Sequence, residues 1–473
     1  MASKRDQLHA YQFLIQRVIS ALVTRETDPE QPPFRRPSNA AFGGIAIAVI
    51  ALAAVGVYGI INPGGNEAWQ DGKSVVVEKE TGTRYVYLDG RLHPVANYTS
   101  ALLAIGEHAD TSSVSRDSLA GVPRGPRIGI PDAPDALPGP DRLLDAGWTL
   151  CSQPLADVTG TVVPTSVLMV GQPAQGGVPL RNRAMLVDVP ETGERYLVLH
   201  GYRHLINKAD ALTVGLALRA TPAVRVSPAV VEAVPIGLPI APIAVPAAGT
   251  ASTAVASRKD ILAGQLFVVP TSRGSQHYLA QAGQLVPISE LQFDIQLGYQ
   301  ATATAYPGGK PAGLKLGMIE ASGANQTTPS VAKPGDPPTV RPDFVEGDDT
   351  ATVCLTFDPG AEVPRVTMAP TMPDVDPLSA TPRRTAGGAP LADRVLVPSG
   401  WAAVIESVPN MDAPKGMGTL MVITDMGTAY PLAEPKVLDV LGYTNVRPVR
   451  MPASLVARMP MGSGLSHEAA MQR

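Results

Sequence analysis

Aromatic residues are scarce in this chain, 5% of 473 positions, so no broad ring-lined face is available on which sugars or bases could stack. An excess of one charge is also missing: 38 Lys and Arg stand against 42 Asp and Glu, for a net charge of -4. Nucleic-acid binding needs clustered cations that release counterions from phosphates. The one basic cluster, around Arg35 and Arg36, borders an apolar run and suits the orientation of a membrane helix better. No G-x-S-x-G elbow occurs, and spacing nominates no Ser, His and Asp set, so nucleophilic catalysis has no support in the sequence.

Long apolar runs are equally rare. Ala40 to Ile61 (AAFGGIAIAVIALAAVGVYGII) is the only uncharged stretch long enough to cross a bilayer, which takes about twenty residues. Lys4, Arg5, Arg17, Arg25, Arg35 and Arg36 precede it, whereas Glu67 and Asp71 are the first charges after it. Positive charge stays inside, so residues 1–39 are expected in the cytoplasm and everything after residue 61 outside. A cleaved signal peptide would begin its apolar core near the start; here a long polar arm comes first. That arm carries Leu8, Tyr11, Phe13, Leu14, Ile15, Val18, Ile19, Leu22 and Val23 at three- and four-residue spacing, the pattern of an amphipathic helix. Such a face serves a membrane surface or a cytoplasmic partner equally well.

The two cysteines, Cys151 and Cys354, both fall on the expected outer side in strand-like contexts (GWTLCSQ and TATVCLTF). An oxidising compartment favours a disulfide, and closing so long a loop would stabilise the fold by about 5 kcal/mol in the chain-entropy model. Two buried free thiols are the alternative. Gly (45) and Pro (47) are too abundant for a helical body, and turns and short strands should dominate it.

Outside the membrane one pattern returns: TGTRYVYLDGRLHPV, TGERYLVLHGYRHLI and SRGSQHYLAQAGQLVPI. Gly82, Gly193 and Gly274 occupy a turn, Tyr85, Tyr196 and Tyr278 follow on a strand, and Gly90, Gly201 and Gly283 each come five residues after the tyrosine. This is a hairpin signature. A shorter fourth copy, TDMGTAYPLAEPKVLDVLGY, is aligned through Gly427, Tyr430 and Pro431 and lacks a second strand. After Pro94, Pro287 and Pro431 comes helical apolar spacing that ends at Gly106, Gly298 and Gly442. Three copies then add an apolar residue, two of any kind, Val or Met, and Pro-x-Gly: Leu119 to Gly125, Val231 to Gly237 and Val456 to Gly462. The third copy has no such tail.

Two non-repeat blocks, one cysteine in each, should meet in a central β unit built from Asp145 to Val170 and Thr350 to Val408. Thr302 to Asp349 and Pro364 to Asp393, rich in Pro, Gly and Thr, read as long loops. The expected class is α+β: a cytoplasmic amphipathic helix, one transmembrane helix, and an outer body of four small α/β repeats around a mainly-β centre. The expected bounds are arm 1–39, membrane helix 40–61, linker 62–74, repeats 75–135, 186–245, 258–300 and 419–462, centre 140–185 and 301–418, and flexible tail 463–473.

The basic arm with RDQLHAYQFLIQRVISALV and FRRP, one transmembrane helix, repeats written TGTRYVYLDGRLHPVANYTSALL and two distant outer cysteines together resemble EccB, a membrane component of type VII (ESX) secretion machinery. The resemblance covers nearly the whole chain and implies four lysin-like repeats flanking a central β domain. It further implies a cell-membrane complex with EccC, the ATP-driven motor, and with EccD and EccE, self-association, and contact outside with the mycosin protease. Some members of the family are credited with ATPase activity, which raises ATP as a ligand.

Against that, Gly72, Lys73 and Ser74 imitate only the end of a P-loop: Glu67 stands where the first glycine belongs, and Gly65 is too early. No catalytic, cofactor or metal residue is therefore expected. His200 and His204 straddle a hairpin turn and share no helical face for a zinc ion. Asp374 and Asp376 lack the glycine and closing Glu of a calcium loop. In the apolar run Gly44 with Ala48, and Gly56 near Gly59, allow close helix packing. The expected role is a structural single-pass subunit of an export complex. An ATP-hydrolysing component and a peptidoglycan-binding anchor are the alternatives.

Overall fold

A computed structural model describes residues 3–23, 25, 35–61, 67–157, 159–207, 212–213, 215–216, 218, 221–272, 274–328, 331–373 and 380–473. Asp374, Asp376 and Gly65 lie outside the described residues. The chain divides into two compact units, Met1–Pro94 with Asp110–Gly125, and Val95–Ala109 with Pro126–Arg473.

In the first unit, helix α1 (Lys4–Val23) carries the apolar spacing of the arm, with Leu8, Tyr11, Leu14, Val18 and Leu22 all exposed. Helix α2 (Arg35–Ile61) opens on Arg35 and Arg36, and Asn39–Tyr58 within it is long and apolar enough to cross a membrane. The same unit holds a four-stranded sheet. Val75–Glu78 pairs antiparallel with Arg84–Leu88, which pairs with Arg91–Pro94, while Thr111–Val114 adds in parallel to the first strand. Its core is Trp69, Val76, Tyr85, Leu92, Val114 and Leu119.

The second unit repeats that topology three times. Each sheet is a three-stranded meander whose first strand receives a parallel fourth. The strands are Met185–Val189, Glu194–Leu199, Tyr202–Leu205 and Ala223–Arg225; then Leu266–Thr271, Gly274–Ala280, Leu285–Ile288 and Gly313–Lys315; then Ala403–Val408, Thr419–Ile423, Ala429–Pro431 and Val449–Pro452. Helices Tyr98–Ile105, Glu290–Gly298 and Lys436–Val440 fall between third and fourth strands. Asn97 caps the first of these by accepting from the Ser100 N–H at 2.9 Å, and Gly106 ends it at φ +84°. A parallel return needs such a crossover, because a tight turn can only reverse the chain.

A six-stranded central sheet has the order Arg394–Leu396, Val162–Met169, Trp148–Ala156, Val353–Phe357, Arg365–Met368, Val178–Pro179. Its two faces bury different things. Trp148, Leu150, Leu168, Val353, Leu355 and Phe357 enter a core shared with Val187, Val198 and Val231 of the second repeat and Ile405, Met421 and Leu455 of the fourth. Cys151, Val167, Met169 and Cys354 face the other way.

Four sequence expectations are corrected here. The fourth sheet begins at Ala403, upstream of the expected boundary at 419, and it has its full set of strands. Residues 409–418, between its first two strands, separate the hairpin too widely for a tight-turn signature. The third sheet takes Gly313–Lys315 from the segment read as loop and central domain, and a helix, Met318–Ser322, follows. Arg365–Met368, also read as loop, is a central-sheet strand paired with Val353–Phe357. Finally, 463–473 is a packed end and not a frayed tail: Leu465 and Ala470 are buried, Ser466 caps helix His467–Ala470, and the His467 Nδ1–H donates to the Leu103 carbonyl at 2.7 Å.

Candidate assembly site

Cys151 and Cys354 lie directly opposite each other on adjacent antiparallel strands, with Cα atoms 4.0 Å apart, and they form a disulfide. The bond fastens the outgoing and returning halves of the chain, 203 residues apart, within one sheet. On the same face the Thr149 and Thr356 hydroxyls meet at 3.1 Å. At the other edge of the sheet the Ser166 Oγ–H donates to Asp393 Oδ2 at 2.6 Å, the Asp393 N–H returns to Ser166 Oγ at 3.0 Å, and Ser227 donates to Ser166 at 3.3 Å. This buried network ties the second repeat to the centre, and buried polar groups of this kind are tolerated only when partnered.

The second and fourth repeats meet through the short helices after their fourth strands, Pro228–Ala233 and Ala453–Val456. The Ser454 hydroxyl donates to the Ala233 carbonyl at 3.1 Å, and the Arg458 guanidinium pairs with Glu232. Sequence reading missed Arg458 and Glu232. The available signal was a charge inside an otherwise apolar run leading to Pro460.

The repeat-signature residues fall into structural columns. Tyr85, Tyr196 and Tyr278 sit on second strands opposite Pro94, Leu205 and Pro287, and each hydroxyl donates within its own sheet, to Glu78, Glu194 and Gln276. Gly82 and Gly193 take φ +71° at the first turn, and Gly274 takes +121°. At the second turn Asp89 with Gly90 and His200 with Gly201 are both left-handed, the geometry of a two-residue hairpin loop. Gly283 holds the same place without positive φ. Gly427, φ +71°, belongs to this second-turn column, and Tyr430 is on a third strand beside Val422, where His93 and His204 stand in the other copies. Met421, opposite Pro431, takes the tyrosine's place.

Every tail closes onto its third strand by the same pair of hydrogen bonds. Leu92, Arg203 and Ala429 donate to the carbonyls of Pro123, Pro235 and Pro460, and accept from the N–H groups of Gly125, Gly237 and Gly462. In the third repeat Leu285 does the same with Asn325 and Thr327, so the clamp survives without the Pro-x-Gly residues. A Cβ on Gly125, Gly237 or Gly462 would collide with the ring of His93, His204 or Tyr430 respectively. Val286 has no ring, and Thr327 is accommodated.

The chemical candidates resolve as turns and core. The Lys73 N–H donates to Asp71 Oδ1 at 2.9 Å and the Gly72 N–H to the Trp69 carbonyl at 3.4 Å, so a carboxylate already caps the turn where a phosphate would have to sit. His204 is buried and its Nδ1–H donates to the Leu238 carbonyl at 2.8 Å, while His200 is exposed on the turn. Burial pushes His204 below its ordinary pKa of 6.5. Among the described residues no three His, Cys, Asp or Glu side chains gather to hold a metal.

Comparison with known proteins gives a family model, described as Type VII secretion system ESX-1, transport TM domain B, that matches residues 1–473. The ESX-1 secretion system ATPase EccB1 of Mycobacterium tuberculosis (strain ATCC 25618 / H37Rv) is 33% identical over 282 residues, 58% of this chain and 56% of that relative. EccB1 of Mycolicibacterium smegmatis (strain MKD8) is 28% identical over 477 residues, 98% of this chain and 94% of the relative. Among solved structures, an intact ESX-5 inner membrane complex contains a chain of the same fold, with TM-score 0.59 and 23% identity, covering 100% of this chain and 95% of that one. The EccB3 dimer from the ESX-3 core complex gives TM-score 0.59 and 22% identity over 85% of this chain and 100% of that one. With the apolar helix, the repeated sheets and the disulfide already in place, the match over the full sequence settles the family: this chain belongs to the EccB family of type VII secretion.

Proposed function

We propose that the chain is a structural single-pass subunit of a type VII secretion complex. On this reading α2 crosses the cell membrane, α1 lies in the cytoplasm, and the sheets form part of the complex on the outer side. The observation that carries it is that the family match runs unbroken through arm, apolar helix and body, so these parts belong to one design. The partners implied are EccC, EccD and EccE in the membrane, the mycosin protease outside, and further copies of the chain. Two relatives are named ATPase, but here Asp71 fills the only P-loop-like turn, and self-packing of the repeats accounts for their tyrosines and glycines without a ligand.

Gentle solubilisation of membranes and identification of co-purifying chains tests this. EccC, EccD and EccE in one complex are expected. Recovery of a lone monomer overturns the reading. ATP hydrolysis by the purified chain that is lost in Lys73→Ala would replace it with the enzyme, and capture by purified peptidoglycan without any partner would replace it with a wall anchor.

A further inference from the structure

One column of the repeats is apolar in three copies and charged in the second. Two residues beyond the tyrosine place on the second strand, the facing third-strand residue is Leu92, Leu285 or Ala429 in the first, third and fourth copies, and all three are fully buried in their cores. In the second copy it is Arg203. Its guanidinium lies 5.5 Å from the centre of the Tyr196 ring, its Nε is buried without a partner, and among the described residues the side chain makes no hydrogen bond or ion pair. Burial holds it below the ordinary arginine range. An unpaired cation where three copies bury an aliphatic side chain is costly, and local rules are broken in this way mainly at functional sites.

Arg203 lines a cleft of about 290 Å³ together with Glu194, Glu232 and an aliphatic wall of Val189, Pro228 and Val231. The two acids also belong to this copy alone. The equivalents of Glu194 are Thr83, Gln276 and Thr419, and those of Glu232 are Ala120, Ser322 and Ala457, neutral in every case. Neither acid neutralises the arginine, because Glu232 pairs with Arg458 and Glu194 accepts the Tyr196 and Thr192 hydroxyls at 3.0 Å, both at Oε2. Glu194 Oε1 is left for another donor.

We propose that this cleft of the second repeat binds the free carboxylate end of a polypeptide. The planar fork of Arg203 matches a carboxylate, Glu194 Oε1 accepts the amide N–H of the last residue, and the aliphatic wall takes its side chain. A dianion such as phosphate fits less well, since two carboxylates stand beside the cation. A sugar has no ring to stack on, because Tyr196, the one aromatic side chain lining the cleft, faces the guanidinium. Ligand binding here goes beyond the assembly reading and does not depend on it.

The test is calorimetric titration of the full chain, solubilised in detergent, with acetyl-Ala-Ala bearing a free carboxylate, with the same peptide as its C-terminal amide, and with inorganic phosphate. Saturable binding of the free acid is expected, and none of the amide or of phosphate. Arg203→Leu restores the residue of the first and third copies. It is expected to melt at or above the temperature of the unmodified chain, yet to bind the free acid about tenfold more weakly, as for loss of a charge-assisted contact. Should it fail to fold, Arg203→Lys, which keeps the charge without the fork, is expected to weaken binding in the same direction. The site is overturned if the acid does not bind, if amide or phosphate binds as tightly, or if the folded variants bind the acid unchanged. Arg203→Leu that melts well below the unmodified chain, with Arg203→Lys binding the acid as before, makes Arg203 a structural cation and overturns the site as well.

Discussion

Glycine in the Pro-x-Gly tails is there for room and not for backbone freedom. Gly125, Gly237 and Gly462 do not have positive φ, yet a side chain on any of them would enter the ring of His93, His204 or Tyr430. Overpacking at such a contact costs about 1–3 kcal/mol, so Gly462→Ala is expected to lower stability by that amount in denaturant titration. The third repeat shows the compensation, Val286 with Thr327, so Tyr430→Val should restore part of the loss, and a double-mutant cycle reads the coupling. His204 adds a pH dependence. Its folded pKa lies below the unfolded value, so the unfolded chain binds the extra proton: stability is full above about pH 6.5 and declines as pH falls below it. His204→Gln should flatten that decline in thermal melts taken from pH 7.5 down to 5.

At the scale of elements, the pairing of the second and fourth repeats depends on an unequal ion pair. The Arg458 side chain is 8% exposed and that of Glu232 41%. Removing the acid strands a buried cation, whereas replacing both partners with neutral groups is often tolerated. Glu232→Ala is therefore expected to cost about 2–4 kcal/mol, and adding Arg458→Met should recover much of it, as measured by the denaturation midpoint. What could be read in advance follows the same logic of local signals. Tyr85 and Tyr196, each with a turn glycine on either side, mark hairpins whose loops are short enough to need left-handed residues. The apolar run of α2 is contiguous and needs no partner to be recognised. The fourth repeat hid its first strand because the loop after Val408 has no fixed turn chemistry, and Gly427 with Tyr430 imitated the first turn while occupying the second. Gly313–Lys315 is three residues long and takes its strand character from pairing with Leu266–Val268, a contact that no local pattern announces. Arg458 and Asp393 were invisible for the same reason: their partners lie 226 and 227 residues away.

For the whole molecule, membrane orientation and thiol chemistry should be one measurement. If α2 is held with its basic end in the cytoplasm, Cys151 and Cys354 mature in an oxidising compartment and close the bond across the central sheet. The two sulfurs are bonded to each other, so an alkylating reagent should leave the chain unlabelled even in denaturant, and should label both sites once a reductant is added to the denaturant, which also exposes these buried positions. Neutralising Lys4, Arg5, Arg17, Arg25, Arg35 and Arg36 removes the cations that precede the apolar stretch of α2, Arg35 and Arg36 being the two at the start of that helix. A fraction of such chains is expected to insert with the body in the cytoplasm, where thiols stay reduced. That fraction should accept label in denaturant without reductant, and should match the fraction of a C-terminal reporter found on the cytoplasmic side. Chains that invert by the reporter yet keep the bond closed would separate the disulfide from compartment, whereas a neutralised arm that changes neither readout would show that charge before α2 does not orient it.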